Sequence, residues 1–176
     1  RFKASGKQVV AWGSNYEQRQ YYLAAHATEV FMHPMGMTML EGYGRYRNYY
    51  KDAFDRLGVQ ANVIRVGTYK NAAEPYFANA PSKASLEAEG FLYNDLWATY
   101  TAGVEKARKL PAGSINKNIE GIVDSFTAVG GDAGKLALQW KMVDALKTRD
   151  EFRAICNGTN GTNGQDGATG ADGLNG

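Results

Sequence analysis

The chain has 176 residues, of which 44% are hydrophobic, 22% charged and 12% aromatic, and its formal net charge is +2. This composition and length fit one globular domain, and so small a charge argues against a nucleic-acid partner. The sequence has no run of about eighteen apolar residues, so we predict no membrane-spanning segment in it.

The first 40 residues predict strands and a helix in alternation. Residues 8–12 are apolar and β-branched and lie between two glycines, which indicates a buried strand. The apolar spacing over residues 17–27 predicts a helix. Two more strands are predicted over residues 28–32 and 37–40, the first of them ended by His33 and Pro34.

The rest of the chain continues this alternation. Residues 46–57 predict a helix that ends at Gly58, and residues 61–66 predict a strand. A long helix is expected over residues 82–109, with Ser82 as its N-cap. Its predicted inward stripe is Leu86, Tyr93, Leu96, Trp97, Tyr100, Val104 and Ala107. A last helix at 133–140 and a short segment at 142–146 complete an α/β pattern with a mainly parallel sheet.

Glycine recurs at every third position from Gly158 to Gly176. This period matches the collagen repeat, but the segment contains no proline, which favours a disordered polar tail over a triple helix. We therefore predict a folded domain over residues 1–152 and a collagen-like, low-complexity tail over residues 153–176.

Few residues are available for the familiar hydrolytic or metal chemistries. The chain has two histidines, His26 and His33, and one cysteine, Cys156. These residues offer little for a Ser-His-Asp triad, a metal site or an internal disulfide, so we expect no metal and no cofactor. Hydrolysis would need another kind of base.

Lys70 is the candidate for that base, because it follows the strand predicted at residues 61–66 and lies where α/β folds often place active sites. A lysine acts as a general base only when it is neutral, so its ordinary pKa of about 10.4 must fall by roughly three units. The alternative is a solvated surface lysine with Glu74 as an ion-pair partner. The pattern alone leaves both interpretations open.

Several segments resemble the N-terminal half of the long form of the signal peptide peptidase A (protease IV) family. They extend in order from about Phe2 to Phe152, and the most specific is Gly67-Thr-Tyr-Lys-Asn-Ala-Ala-Glu-Pro75. The resemblance implies that Lys70 is the catalytic lysine of a Ser/Lys dyad. The family usually has serine after this lysine, whereas this chain has Asn71.

The resemblance also implies a fold like that of the Clp protease subunit and the crotonases, built from repeated strand-strand-helix units. In the family's long form, the nucleophilic serine comes from a second copy of the fold. Gln18 stands at the corresponding position in this chain and cannot attack a carbonyl. We therefore expect this chain to be inactive alone and to need a missing serine-bearing C-terminal half.

Partners and location follow only from the resemblance. It implies that the substrates are cleaved signal peptides, bound without a cofactor, and that the protein assembles as a homotetramer. A candidate sheet edge for binding peptides consists of Met37, Thr38, Met39 and Leu40, although a plain core strand is the favoured interpretation of these residues. An anchor preceding Arg1, and absent from the chain, would hold the protein on the periplasmic side of the bacterial inner membrane.

Two other functions stay open. One is a crotonase-like enzyme acting on an acyl-CoA thioester, although the paired glutamates or oxyanion loop that it needs are not found in the sequence. The other is a non-catalytic scaffold in which the glycine-repeat tail drives trimerisation or tethering.

Overall fold

The computed structural model describes residues 3–157. The glycine-repeat segment predicted as a tail therefore lies outside the described residues from Gly158 onward. The strands are β1 (Val10–Gly13), β2 (Tyr16–Glu17), β3 (Glu29–Met32), β4 (Thr38–Met39) and β5 (Ala145–Leu146). The helices are α1 (Gln18–Ala24), α2 (Lys51–Leu57), α3 (Glu74–Phe77), α4 (Lys83–Arg108), α5 (Ser114–Glu120), α6 (Ile122–Ala128), α7 (Ala133–Gln139) and α8 (Arg149–Asn157).

The chain divides into two compact units, and the division falls within α4. The described part of the first unit is residues 3–40 and 104–157, which we call the sheet unit. The second is residues 41–103, which contain Lys70 and which we call the lysine unit.

The sheet unit contains two parallel sheets. One has the strand order β1-β3-β5, with Ala11 opposite Val30 and Phe31 opposite Ala145. The other pairs β2 with β4, and Tyr16 lies opposite Thr38. Parallel neighbours require crossover connections, and helices supply them here. The predicted mixed α/β fold with parallel sheets is confirmed at this level.

The core of the sheet unit is apolar, with its few polar tips hydrogen-bonded. Val30 and Met32 of β3 are fully buried, as is Tyr21 of α1. The Tyr21 hydroxyl donates to the Met142 carbonyl at 2.6 Å, which satisfies the one polar atom of that side chain. Tyr16 likewise donates to a backbone carbonyl, and burial raises the pKa of its hydroxyl to about 12.

The end of the described chain packs against the sheet. The rings of Trp12 and Phe152 are stacked with centroids 6.0 Å apart, and the Trp12 indole donates to the Lys147 carbonyl at 2.8 Å. Helix α8 continues through Asn157. Phe152, where we predicted that the domain ends, lies within this helix and not at its end.

Two stacked clusters organise the lysine unit. Tyr50, Phe54 and Tyr76 stack on one another with centroids 6.2–6.4 Å apart. The Tyr50 amide also donates to the Pro75 carbonyl at 2.7 Å, which ties the start of α2 to α3. Trp97 stacks on Tyr100 within α4. Gly58 ends α2 in the left-handed conformation that its position predicted.

Three predictions about secondary structure are wrong. Residues 61–66 form no strand, and Ile64 is 98% exposed. Helix α2 begins at Lys51, later than the predicted start at residue 46. The inward stripe of α4 holds only in part, because Tyr100 and Val104 are buried whereas Leu86 and Leu96 are exposed.

Candidate active site

Lys70 lies in a turn that precedes α3. Its amide donates to the Gly67 carbonyl at 3.3 Å, and Gly67 adopts a positive φ of 105° that favours glycine. We expected Lys70 to follow a strand that ends at Val66. Because residues 61–66 are irregular, the lysine is instead held by the turn and by the contacts of its neighbours.

The Lys70 side chain is exposed to solvent. Among residues 3–157, its ammonium group has no hydrogen bond and no ion pair. The structure therefore agrees with the alternative in that Lys70 is a solvated surface lysine, but the ion pair with Glu74 that the alternative included is wrong. The reason is that the carboxylate of Glu74 is turned inward and is bound by other groups.

Glu74 is buried, with only 1% of its surface exposed. Its carboxylate accepts hydrogen bonds from the Ser82 hydroxyl at 2.5 Å and from the Ser82 amide at 3.2 Å. The Arg65 guanidinium lies 3.7 Å from the same carboxylate. Burial raises the pKa of Glu74, but the hydrogen bonds from Ser82 and the charge of Arg65 outweigh it, so the net pKa is lowered. Glu74 is thus a buried carboxylate that stays ionised.

Arg65 connects this carboxylate to the lysine turn. Its Nη1 donates to the Lys70 carbonyl at 3.4 Å, and the same nitrogen faces Glu74. The guanidinium also lies over the Phe77 ring, 5.5 Å from the centroid, which adds a cation–π contact. One arginine therefore contacts the backbone of Lys70, the buried carboxylate and an aromatic face.

Asn71 is fixed on the other side of the lysine. Its Nδ2 donates to the Ser85 hydroxyl at 2.7 Å, and its backbone carbonyl accepts from Arg47 Nη1 at 3.2 Å. Arg47 is itself paired with Glu89 at 2.7 Å. The Asn71 side chain thus binds the first turns of α4 and does not take the place of a serine hydroxyl beside Lys70.

The predicted peptide-binding residues belong to the sheet unit. Thr38 and Met39 form β4, and the flanking Met37 carbonyl accepts from the Tyr16 amide at 2.9 Å. Met37 and Met39 are both exposed, as is Met35 two residues earlier, while Leu40 is half-buried. Gln18, at the position implied for the nucleophile, begins α1 and is buried.

Sequence reasoning missed Arg65 as part of the site and considered Glu74 only as a surface ion-pair partner of Lys70. Glu74 belongs to the specific segment around Lys70, which was a signal, but its burial depends on Ser82 and Arg65.

For the part of the chain that the structure describes, no group of three or more metal-ligating side chains is found. Across that same part, no helix is both long enough and apolar enough to cross a membrane.

The parallel sheets with their crossover helices place the chain among α/β domains. The sequence profile of peptidase family S49 matches residues 1–154. The chain belongs to this family, which confirms the resemblance found in the sequence.

Proteins with sequences similar to this chain are named as proteases. The chain is 41% identical over 145 residues to Protease 4 of Salmonella typhi, covering 82% of this chain and 24% of that protein. It is 32% identical over 151 residues to Protease 4 of Haemophilus influenzae, covering 84% and 24%. It is 27% identical over 106 residues to a chloroplastic serine protease, SPPA, of Arabidopsis thaliana, covering 60% and 16%. The chain spans about a quarter of the length of the two bacterial relatives.

Proposed function

We propose that this chain is the lysine-bearing part of a serine endopeptidase, with Lys70 as the general base. The observation that carries the proposal is the exposed Lys70 side chain on a turn fixed from both sides, within a chain of peptidase family S49. The names of the relatives, Protease 4 and serine protease SPPA, support the activity. The proposed fold is the repeated strand-strand-helix architecture of the Clp and crotonase proteins.

In the proposed mechanism, neutral Lys70 accepts the proton of a serine hydroxyl as the serine oxygen attacks a peptide carbonyl. Backbone amides near the serine stabilise the oxyanion. The peptide bond then breaks, the amine leaves with a proton from Lys70, and water hydrolyses the acyl-enzyme. A neutral lysine requires a desolvated site, which a partner surface covering the exposed side chain would create.

We place the serine in the part of such proteins that lies beyond the matched segment. The lysine unit exposes several large apolar side chains, and exposed apolar surface is a common feature of interaction sites. These side chains include Tyr46, Ile64, Val66, Tyr69, Leu86, Phe91 and Leu92. The matched segment covers only 24% of each bacterial relative, so the serine-bearing part is the proposed occupant of this surface. Assembly into a homo-oligomer, a tetramer by resemblance, is also proposed.

The proposed substrates are cleaved signal peptides, which are short, apolar and extended. Met39 of β4 and Met37, which directly precedes the strand, both have exposed side chains, and unbranched thioether chains adapt to varied apolar partners. An extended peptide would add to this edge through backbone hydrogen bonds. By resemblance, the whole protein works at the periplasmic side of the bacterial inner membrane.

Complementation tests the proposal. The chain is co-expressed with the part of Salmonella typhi Protease 4 that lies beyond the matched segment, and cleavage of a fluorogenic apolar peptide is measured. We expect activity with the wild-type chain, loss of at least a hundredfold with Lys70→Ala, and no loss with Lys83→Ala, an exposed lysine of α4. Equal activity of the Lys70→Ala and wild-type pairs would remove Lys70 from the mechanism.

A further inference from the structure

The mechanism above gives no role to Glu74, although burying a carboxylate is costly unless it is paired. Within the lysine unit, this carboxylate is bound by Ser82 at the start of α4 and faces Arg65. Ser82 also accepts from the Ser85 amide, so the carboxylate is attached to a capped helix end. Ser82 therefore holds the Glu74 carboxylate in place, and Arg65 is the partner that connects this carboxylate to other residues.

Arg65 connects the fixed carboxylate of Glu74 to the turn that contains Lys70. The guanidinium is fixed by charge to Glu74 and by its cation–π contact to Phe77, and it donates to the Lys70 carbonyl. The turn itself depends on one internal hydrogen bond and contains a glycine with positive φ. Without the arginine, the backbone of Lys70 would lose its contact on this side.

We propose that Glu74 is a positioning residue for Lys70 and that it acts through Arg65. This inference rests on the proposed function of Lys70 as the general base. A base must lie within hydrogen-bond reach of the serine hydroxyl, and a displacement of about 1 Å costs on the order of a hundredfold in rate. The buried carboxylate orients the guanidinium, and the guanidinium holds the peptide unit from which the lysine side chain extends.

The turn has two anchors, Arg65 before Lys70 and Asn71 after it, and the contacts of Asn71 do not replace those of Arg65. Asn71 is bound to Ser85 and Arg47, and these contacts hold the chain after Lys70. Two ion pairs thus support the turn, Arg65 with Glu74 before Lys70 and Arg47 with Glu89 through Asn71. Loss of either anchor leaves the lysine fixed at one point, about which its side chain can rotate away.

The test uses the complemented pair described above, saturated with the serine-bearing part. For Glu74→Gln and Arg65→Gln we expect kcat to fall by about tenfold to a hundredfold while KM stays within about twofold. Arg65→Lys keeps the charge and one donor, so it should recover part of the lost kcat. The matched control is Asp55→Asn, which removes an exposed carboxylate paired with Lys51 in α2 of the same unit and should leave kcat unchanged.

The outcomes separate the two proposals. If Lys70→Ala abolishes activity while both glutamine variants behave as Asp55→Asn, the positioning role is overturned and the base survives. If Lys70→Ala has no effect, the proposed function itself fails. Should Glu74→Gln not fold, Arg65→Gln decides, because the arginine side chain is partly exposed and its removal leaves Ser82 on Glu74. A rise in KM at unchanged kcat also contradicts positioning.

Discussion

Arg108 and Asp144 form a bidentate ion pair, with Nη1 donating to Oδ2 at 2.9 Å and Nη2 to Oδ1 at 2.7 Å. The Val30 amide donates to the same carboxylate at 2.7 Å, and Arg108 Nε donates to the Lys141 carbonyl at 3.1 Å. The pair therefore links the C-terminal end of α4 to β3 and to the residue before β5. Planar, bidentate pairing of this kind is the strong form of such a contact.

Replacing Asp144 should therefore destabilise the sheet unit. In Asp144→Asn, the nearly buried Arg108 side chain loses its charged partner, and we expect the free energy of unfolding to fall by about 2 kcal/mol. Urea denaturation measures the change. Asp150→Asn is the control, since that carboxylate is 93% exposed and its loss should cost less than about 0.5 kcal/mol. Equal losses in the two variants would contradict the structural role of the pair.

The same carboxylate predicts an acid dependence of stability. Burial raises the pKa of Asp144, but hydrogen bonds from Arg108 and Val30 outweigh it and lower the net pKa. A carboxyl with a lowered folded-state pKa stabilises the fold fully above its unfolded value, near 3.9, and loses that contribution as the pH falls further. The stability difference between wild type and Asp144→Asn should thus be constant from pH 5 to 7 and shrink below about pH 4. A difference that stays constant down to pH 2.5 would contradict the lowered pKa.

The sequence predicted those elements whose cause is local. The long helix was expected over residues 82–109 and is observed as Lys83–Arg108, because Ser82 caps it and no proline interrupts it. The strands near residues 8–12 and 28–32 were found because they are β-branched and apolar between turn residues. Parallel pairing followed from the helices between them.

The wrong or missing predictions concern residues whose structure depends on contacts with distant parts of the chain, which a local sequence pattern does not contain. Residues 61–66 have strand propensity, but a strand needs a neighbouring backbone, and none pairs with them among the described residues. Helices α5 and α6 were not predicted, although Ile115, Ile119 and Ile122 give a spacing that would have indicated them. Lys70 was identified from the family segment alone, whereas its fixation by Arg65 and Glu74 required the folded structure.

Glu105 should matter for stability because it caps α5. This buried carboxylate accepts from the Gly113 amide at 2.9 Å and from the Ile115 amide at 3.0 Å, two donors that the helix itself leaves free. In Glu105→Ala both donors lose their partner, and we expect a loss of about 2 kcal/mol in the free energy of unfolding. Glu105→Gln keeps one accepting oxygen, so its free energy of unfolding should lie between those of the wild type and Glu105→Ala. Thermal denaturation compares these variants with Glu120→Ala, which removes an exposed carboxylate of α5 and serves as the control. A loss of stability in Glu120→Ala as large as that in Glu105→Ala would be evidence against the cap.

Phe91 of α4 should contribute to association and not to folding. Its side chain is 82% exposed, so Phe91→Gln should change the free energy of unfolding by less than about 0.5 kcal/mol. Val104 of the same helix is fully buried, and Val104→Ala should cost about 2 kcal/mol through lost burial and a small cavity. If the exposed surface binds the serine-bearing part, Phe91→Gln should raise the Kd of the complemented pair about tenfold, since a desolvated aromatic side chain contributes 1 kcal/mol or more. Titration calorimetry measures that Kd, and an unchanged value would exclude Phe91 from the interface.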